Sequence, residues 1–135
     1  MRITADTNLL VRVAVRDDET QAHLALRLLR EAELVAISLP CLCEFVWVLG
    51  SVYRMPKPRI AHSIRGIMEM SHVSIDLAET EVLLRLLEAG GDFADGVIAA
   101  AGASMGAETF VSFDRNAVTR LNAFGISLRD ATAAA

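Results

Sequence analysis

The sequence predicts an α/β fold, a three-layer α/β/α sandwich with a central, mainly parallel five-stranded sheet. Three observations predict it. Short apolar, β-prone runs alternate with segments whose apolar residues recur at helical spacing, the pattern of parallel strands joined by crossover helices. The 135 residues suit one domain over 1–135, long enough to bury a core without disulfides or a structural metal. Two of the strand-like runs deliver an aspartate, Asp6 and Asp114, at the carboxyl edge where open α/β sheets bind ligands.

Taken in order, Arg2 to Ala5 reads as the first strand, and Asp6 follows it. Leu9, Leu10, Val13 and Ala14 then recur at helical spacing until Asp17 and Asp18 end the run. A second, amphipathic helix is expected from about Thr20 to Glu33, with Ala22, Ala25, Leu26, Leu29 and Ala32 on its buried side. Val35 to Leu39 reads as a buried strand, and Pro40 suits the first turn of a helix running to about Tyr53. Gly50 to Pro58 is a punctuated loop. Ile60, Ile64, Ile67 and Met68 mark the next helix, ending near Met70, and Val73 to Ile75 a short strand. A helix from Leu77 to Ala89 shows Val82, Leu83, Leu86 and Leu87 as its buried stripe, with Asp76 or Glu79 able to cap it and Gly90-Gly91 stopping it. An alanine-rich helix then opens at Asp92 and ends near Gly106. Thr109 to Phe113 is a β-prone run delivering Asp114, Arg115 to Leu121 a short helix, Ile126 to Leu128 a last edge strand, and Asp130 to Ala135 a frayed tail.

Composition narrows the function. The chain is 53% hydrophobic but only 5% aromatic, with a mean hydropathy of +0.41, so part of its apolar surface is expected to serve a partner. No run reaches the roughly 18 apolar residues of a membrane span, and the N-terminus has no apolar signal region, so a cytoplasmic protein is expected. Cys41 and Cys43 point apart on a helix and read as reduced core thiols, and His23, His62 and His72 lack zinc-ligand spacing. The net charge of −4 argues against broad electrostatic binding of nucleic acid but allows a local basic track, for which Arg12, Arg16, Arg54, Lys57, Arg59 and Arg115 are the candidates. Each is equally well read as solvated surface.

Four acidic residues stand out. Asp6 and Asp114 end strands, Asp95 lies in the first turn of a helix, and Glu44 is the only formally charged residue between Leu34 and Tyr53. Singly, each aspartate has a bland reading as a helix cap, and Asp92 with Asp95 fits the N-cap and N3 positions. Glu44, read as buried among Leu42, Cys43, Phe45, Val46, Trp47, Val48 and Leu49, needs a salt bridge, a proton or a metal. Together the four are expected to converge on a divalent cation, which removes their mutual repulsion, and oxygen-only ligation selects Mg²⁺ or Mn²⁺.

Asp6-Thr7-Asn8, the lone Glu44, Asp92-Phe93-Ala94-Asp95 and Ser112-Phe113-Asp114 together resemble the PIN domain, and more narrowly the VapC toxins of bacterial toxin–antitoxin pairs. The resemblance covers nearly the whole chain in order. It implies a metal-dependent endoribonuclease with the Asp6 strand central, forming a homodimer held inactive by a cognate antitoxin. Asp6, Glu44, Asp95 and Asp114 match the family's catalytic and metal-binding acids, Asp92 a frequent accessory acid, and Asn8 and Ser112 supporting polar positions. Two other readings compete. A phosphatase using Asp6 as nucleophile expects a second aspartate where this chain has Asn8, and a non-catalytic module binding RNA or metal expects a broken acidic set.

Overall fold

The computed structural model describes residues 1–122 and 128–130. It forms two compact units, Met1–Leu77 and Ala78–Ala135.

In the first unit, β1 (Arg2–Thr4), β2 (Leu34–Ala36) and β3 (Val73–Ser74) form a parallel sheet in the order β1-β2-β3. Ile3 pairs with Val35, and Val35 with Val73. Parallel neighbours require long crossovers. The first crossover is α1 (Thr7–Val15) with α2 (Glu19–Glu31), and the second is α3 (Leu39–Ser51) with α4 (Lys57–Met68). α1 packs on both α2 and α3, and α3 on α4. Leu10, Leu29, Leu42, Phe45, Leu49, Ile60 and Ile64 are all fully buried here. Truncating any of them to alanine costs about 2–5 kcal/mol.

The second unit holds α5 (Leu77–Glu88), which begins at the boundary, α6 (Phe93–Ser104), β4 (Phe110–Ser112), α7 (Arg115–Asn122) and β5 (Leu128–Asp130). β4 and β5 pair in parallel, Val111 opposite Arg129, with α7 as their crossover. Leu86, Ala99 and Leu121 bring α5, α6 and α7 into one buried cluster against which Phe110 packs.

The α/β class holds, and among the described residues the strands, each parallel to its neighbours, form sheets of three and two. β2, not the Asp6 strand, is the middle strand of the first sheet. Strands are shorter than their apolar runs because the next helix begins at once. Ser38, expected inside the second strand, instead caps α3, its hydroxyl accepting from Cys41 N–H at 3.2 Å. Pro40 sits in the first turn of that helix as expected. α4 starts three residues before Ile60, because Pro58 suits a first turn as well as a loop. Asp18 caps α2 by accepting from Gln21 N–H at 3.0 Å. Val82, expected on the buried stripe of α5, is 43% exposed, and Thr80 and Leu84 are buried instead. The last strand is Leu128–Asp130; Ile126 and the tail expected after Asp130 lie outside the described residues.

Candidate functional site

The carboxyl ends of β1 and β2 each turn directly into a helix. Ala5 N–H donates to the Ala36 carbonyl at 2.9 Å, which closes the sheet just before Asp6. Asp6 occupies the N-cap position of α1, with extended backbone, yet its side chain makes no capping hydrogen bond. The bland reading therefore fails for this residue: an exposed carboxylate stands over a helix N-terminus and is not used by it.

Thr7, next in the chain, is buried, and its hydroxyl donates to Cys41 Sγ at 3.9 Å. That bond ties the start of α1 to the start of α3. Burial pushes the Cys41 thiol up; the Thr7 bond opposes this, while the negative charges of Asp6 and then Glu44 add to it. Both carboxylates thus lie within electrostatic reach of one thiol. For Glu44 the expectation of burial is corrected. Glu44 is exposed, because Leu42, Phe45 and Leu49 turn inward while Pro40, Glu44, Trp47 and Ser51 form the outward stripe of α3. It has no ion-pair partner among the described residues.

The second unit gathers three acids. Asp92 caps α6, its Oδ1 accepting from Asp95 N–H at 2.9 Å, as the capping reading expects. Asp95, in the first turn of α6, is half-buried. Burial, then the charges of Asp92 and Asp114, hold its carboxyl above the usual value. Asp114 follows β4, and its Oδ1 accepts from Asn116 and Ala117 N–H at 3.0 and 3.2 Å, so it does cap α7. Ser112 Oγ accepts from Asp114 N–H at 3.0 Å and fixes that turn.

The acids therefore group as Asp6 with Glu44 and Asp95 with Asp92 and Asp114. Among the described residues no three His, Cys, Asp or Glu side chains stand close enough to hold a metal ion, so convergence of all four is not shown. The donor chemistry nonetheless fits a hard divalent cation: only carboxylate oxygens are offered, Asp6 and Glu44 lack compensation, and Asp95 is under like-charge pressure that a cation relieves.

The basic candidates differ in setting. Arg12 is committed, its Nη1 donating to Asp17 Oδ1 at 2.8 Å and its Nη2 to Tyr53 Oη at 3.5 Å, while Tyr53 donates to Asp17 Oδ2 at 3.1 Å. Arg16 and Arg54 are exposed and adopt the left-handed backbone region, φ 57 and 53. Lys57, Arg59 and Arg115 are exposed at the starts of α4 and α7. Both cysteines are free thiols. Among the described residues no helix is long and apolar enough to cross a membrane.

One polar feature of the cleft beside Asp6 escaped sequence reasoning. Gln21, in the first turn of α2, lines it with Asn8 and Arg12, and nothing in the local sequence singles out one glutamine on an amphipathic helix. A larger cleft of about 690 Å³ in the second unit, between α5, α6 and β4, contains none of the four candidate metal acids.

The sequence profile of the PIN domain matches residues 3–123. No curated protein matches the chain.

Proposed function

The chain belongs to the PIN domain family of metal-dependent nucleases, and on that premise we propose that it is a Mg²⁺- or Mn²⁺-dependent endoribonuclease, the toxin of a toxin–antitoxin pair. The observation that supports this most is Asp6: it stands at the carboxyl end of a parallel strand, at a helix N-terminus, without being used as a cap. In this reading Asp6, Glu44, Asp95 and Asp114 would hold the cation.

When bound, the cation supplies a nucleophilic water at neutral pH and stabilises charge on the phosphorus oxygens, so no side-chain nucleophile is required. The chain's part is positioning. Thr7 and Cys41 fix the start of α1 against α3 and thereby hold Asp6 relative to Glu44. Asp92 fixes the first turn that presents Asp95, and Ser112 the turn that presents Asp114. Asn8, in the first turn of α1, lines the same cleft as Asp6 and helps orient the substrate. Arg16, Arg54, Lys57, Arg59 and Arg115 guide the RNA backbone, and contacts of that kind give affinity rather than sequence choice.

The toxin role adds a protein partner and a homodimer in the cytoplasm. Trp47 at 63% exposure, Val52 at 60% and Leu24 at 55% support an apolar association surface on the first unit. An antitoxin arginine pairing with the acidic site accounts for inhibition, because its planar fork suits two carboxylates and competes with the metal.

The test is cleavage of single-stranded RNA by the purified protein. Activity should require Mg²⁺ or Mn²⁺ and stop with EDTA. Asp6→Asn and Asp95→Asn should each lower the rate roughly 100-fold or more, the scale on which single electrostatic stabilisers act. Cleavage by either variant at the wild-type rate would refute the assignment.

A further inference from the structure

We infer that the cleft between α1 and α2 beside Asp6 is a base-reading subsite of the proposed nuclease, taking one unstacked adenine nucleotide of single-stranded RNA next to the scissile phosphate. The inference rests on the nuclease reading for its biological meaning, but the site itself is testable without cleavage.

The cleft is open, of about 620 Å³, and lies wholly within the first unit. Asp6 and Asn8 stand at the start of α1, Arg12 a turn beyond Asn8, and Gln21 at the start of α2, with Leu24 and Leu28 among the apolar lining. Leu24 is 55% exposed, an apolar surface on which a base can lie. A pocket with an apolar floor and a few convergent polar groups is the ordinary form of a small-ligand site. Single-stranded RNA is read in that way, by splayed bases placed on a surface and bonded at their edges.

The polar groups select the base. Asn8 and Gln21 both keep their carboxamides out of any hydrogen bond among the described residues; the bond at Gln21 uses only its backbone N–H. A carboxamide offers a donor and an acceptor side by side, which matches adenine N7 and N6. Guanine would call for a guanidinium fork, but both terminal nitrogens of Arg12 are already engaged by Asp17 and Tyr53. Arg12 lines the cleft with its guanidinium held in place by Asp17 and Tyr53.

Two measurements test this. The first uses adenosine 5′-monophosphate and the three other ribonucleoside monophosphates as probes, with side-chain amide resonances of Gln21 and Asn8 followed by NMR in the intact protein without metal. The amides should shift with the adenine nucleotide, and Gln21→Ala should weaken its binding roughly tenfold, within the range of one good bidentate pair. The second uses oligoribonucleotides varied at the positions flanking the cut. The wild type should favour adenine at one of them, Gln21→Ala should reduce that preference roughly tenfold, and Gln21→Glu should move it toward cytosine, whose N4 is a donor. Gln21 is exposed and its capping bond uses the backbone, so both variants fold.

Amides indifferent to all four nucleotides, or a nucleotide preference unchanged by Gln21→Ala, would overturn the subsite. Either result combined with Asp6-dependent cleavage would leave the nuclease reading standing. Adenine binding at Gln21 in a protein that cleaves no RNA would do the reverse.

Discussion

Replacing Gly96 with alanine should destabilise the protein although alanine is the better helix former. In an exposed helix interior the exchange gains about 1 kcal/mol. At Gly96, however, a Cβ would stand 2.6 Å from Leu83 Cδ2 and 2.7 Å from Leu86 Cδ2. Those leucines are only 2% and 1% exposed, so their methyls have no free space to move into. Overpacking of this kind costs about 1–3 kcal/mol, leaving a net loss of about 1 kcal/mol. Gly102 lies on the same helix and is the internal control, because its Cβ would meet Ala107 Cβ at an ordinary 3.8 Å. Gly102→Ala should therefore gain up to about 1 kcal/mol. The two variants should differ by about 2 kcal/mol, or about 6 °C in thermal midpoint for a chain of this length. Urea titration and calorimetry read both quantities. Equal stabilisation by the two substitutions would refute the claim that α6 is packed against α5 at Gly96, one residue after Asp95.

Three further outcomes follow from the site. Asp92→Ala should cost about 1 kcal/mol in urea titration, as loss of a cap does, whereas Asp6→Ala should cost far less because Asp6 makes no capping bond. Glu44→Gln should leave the metal-free thermal stability within about 0.5 kcal/mol of wild type, since the residue is exposed, while weakening Mn²⁺ binding measured by calorimetry; a large stability loss would point to a structural role instead. Asp95 is held above its ordinary 3.8 by burial and by Asp92 and Asp114, so the folded chain keeps its proton more readily than the unfolded chain. Its contribution to metal-free stability is therefore full below 3.8 and is lost as pH rises through the raised folded value, a slope that Asp95→Asn should flatten in denaturation series over that pH range.

Helix identity was legible because capping and periodicity act locally. Asp92 before the alanine-rich run, Pro40 in a first turn and the Ala22, Ala25, Leu29 stripe each declare themselves within one or two turns. Strand lengths were not, since the apolar stretch from Val35 passes without a break into α3, and only the Ser38 hydroxyl marks the change. Glu44 was misjudged for a related reason. Its neighbours in sequence are apolar, but a helix separates neighbours by about 100°, and the exposed Trp47 three residues on marks the same outward face. The functions of the aspartates divide only in three dimensions. Sequence gives Asp6 and Asp114 the same setting, yet Asp114 caps α7 and Asp6 caps nothing. The commitment of Arg12 to Asp17 and Tyr53 joins residues as far as 41 apart and has no local signature.

The proposal that Asp6 and Asp95 hold the same cation is tested most directly by Mn²⁺ binding followed by electron paramagnetic resonance. Wild-type protein, Asp6→Asn and Asp95→Asn would be titrated under identical conditions at neutral pH. If the acids share a site, each substitution alone should weaken the same tight binding event roughly tenfold or more, as loss of a supporting ligand does. Retention of wild-type Mn²⁺ affinity in either variant would show that its carboxylate lies outside the site and would contradict the account.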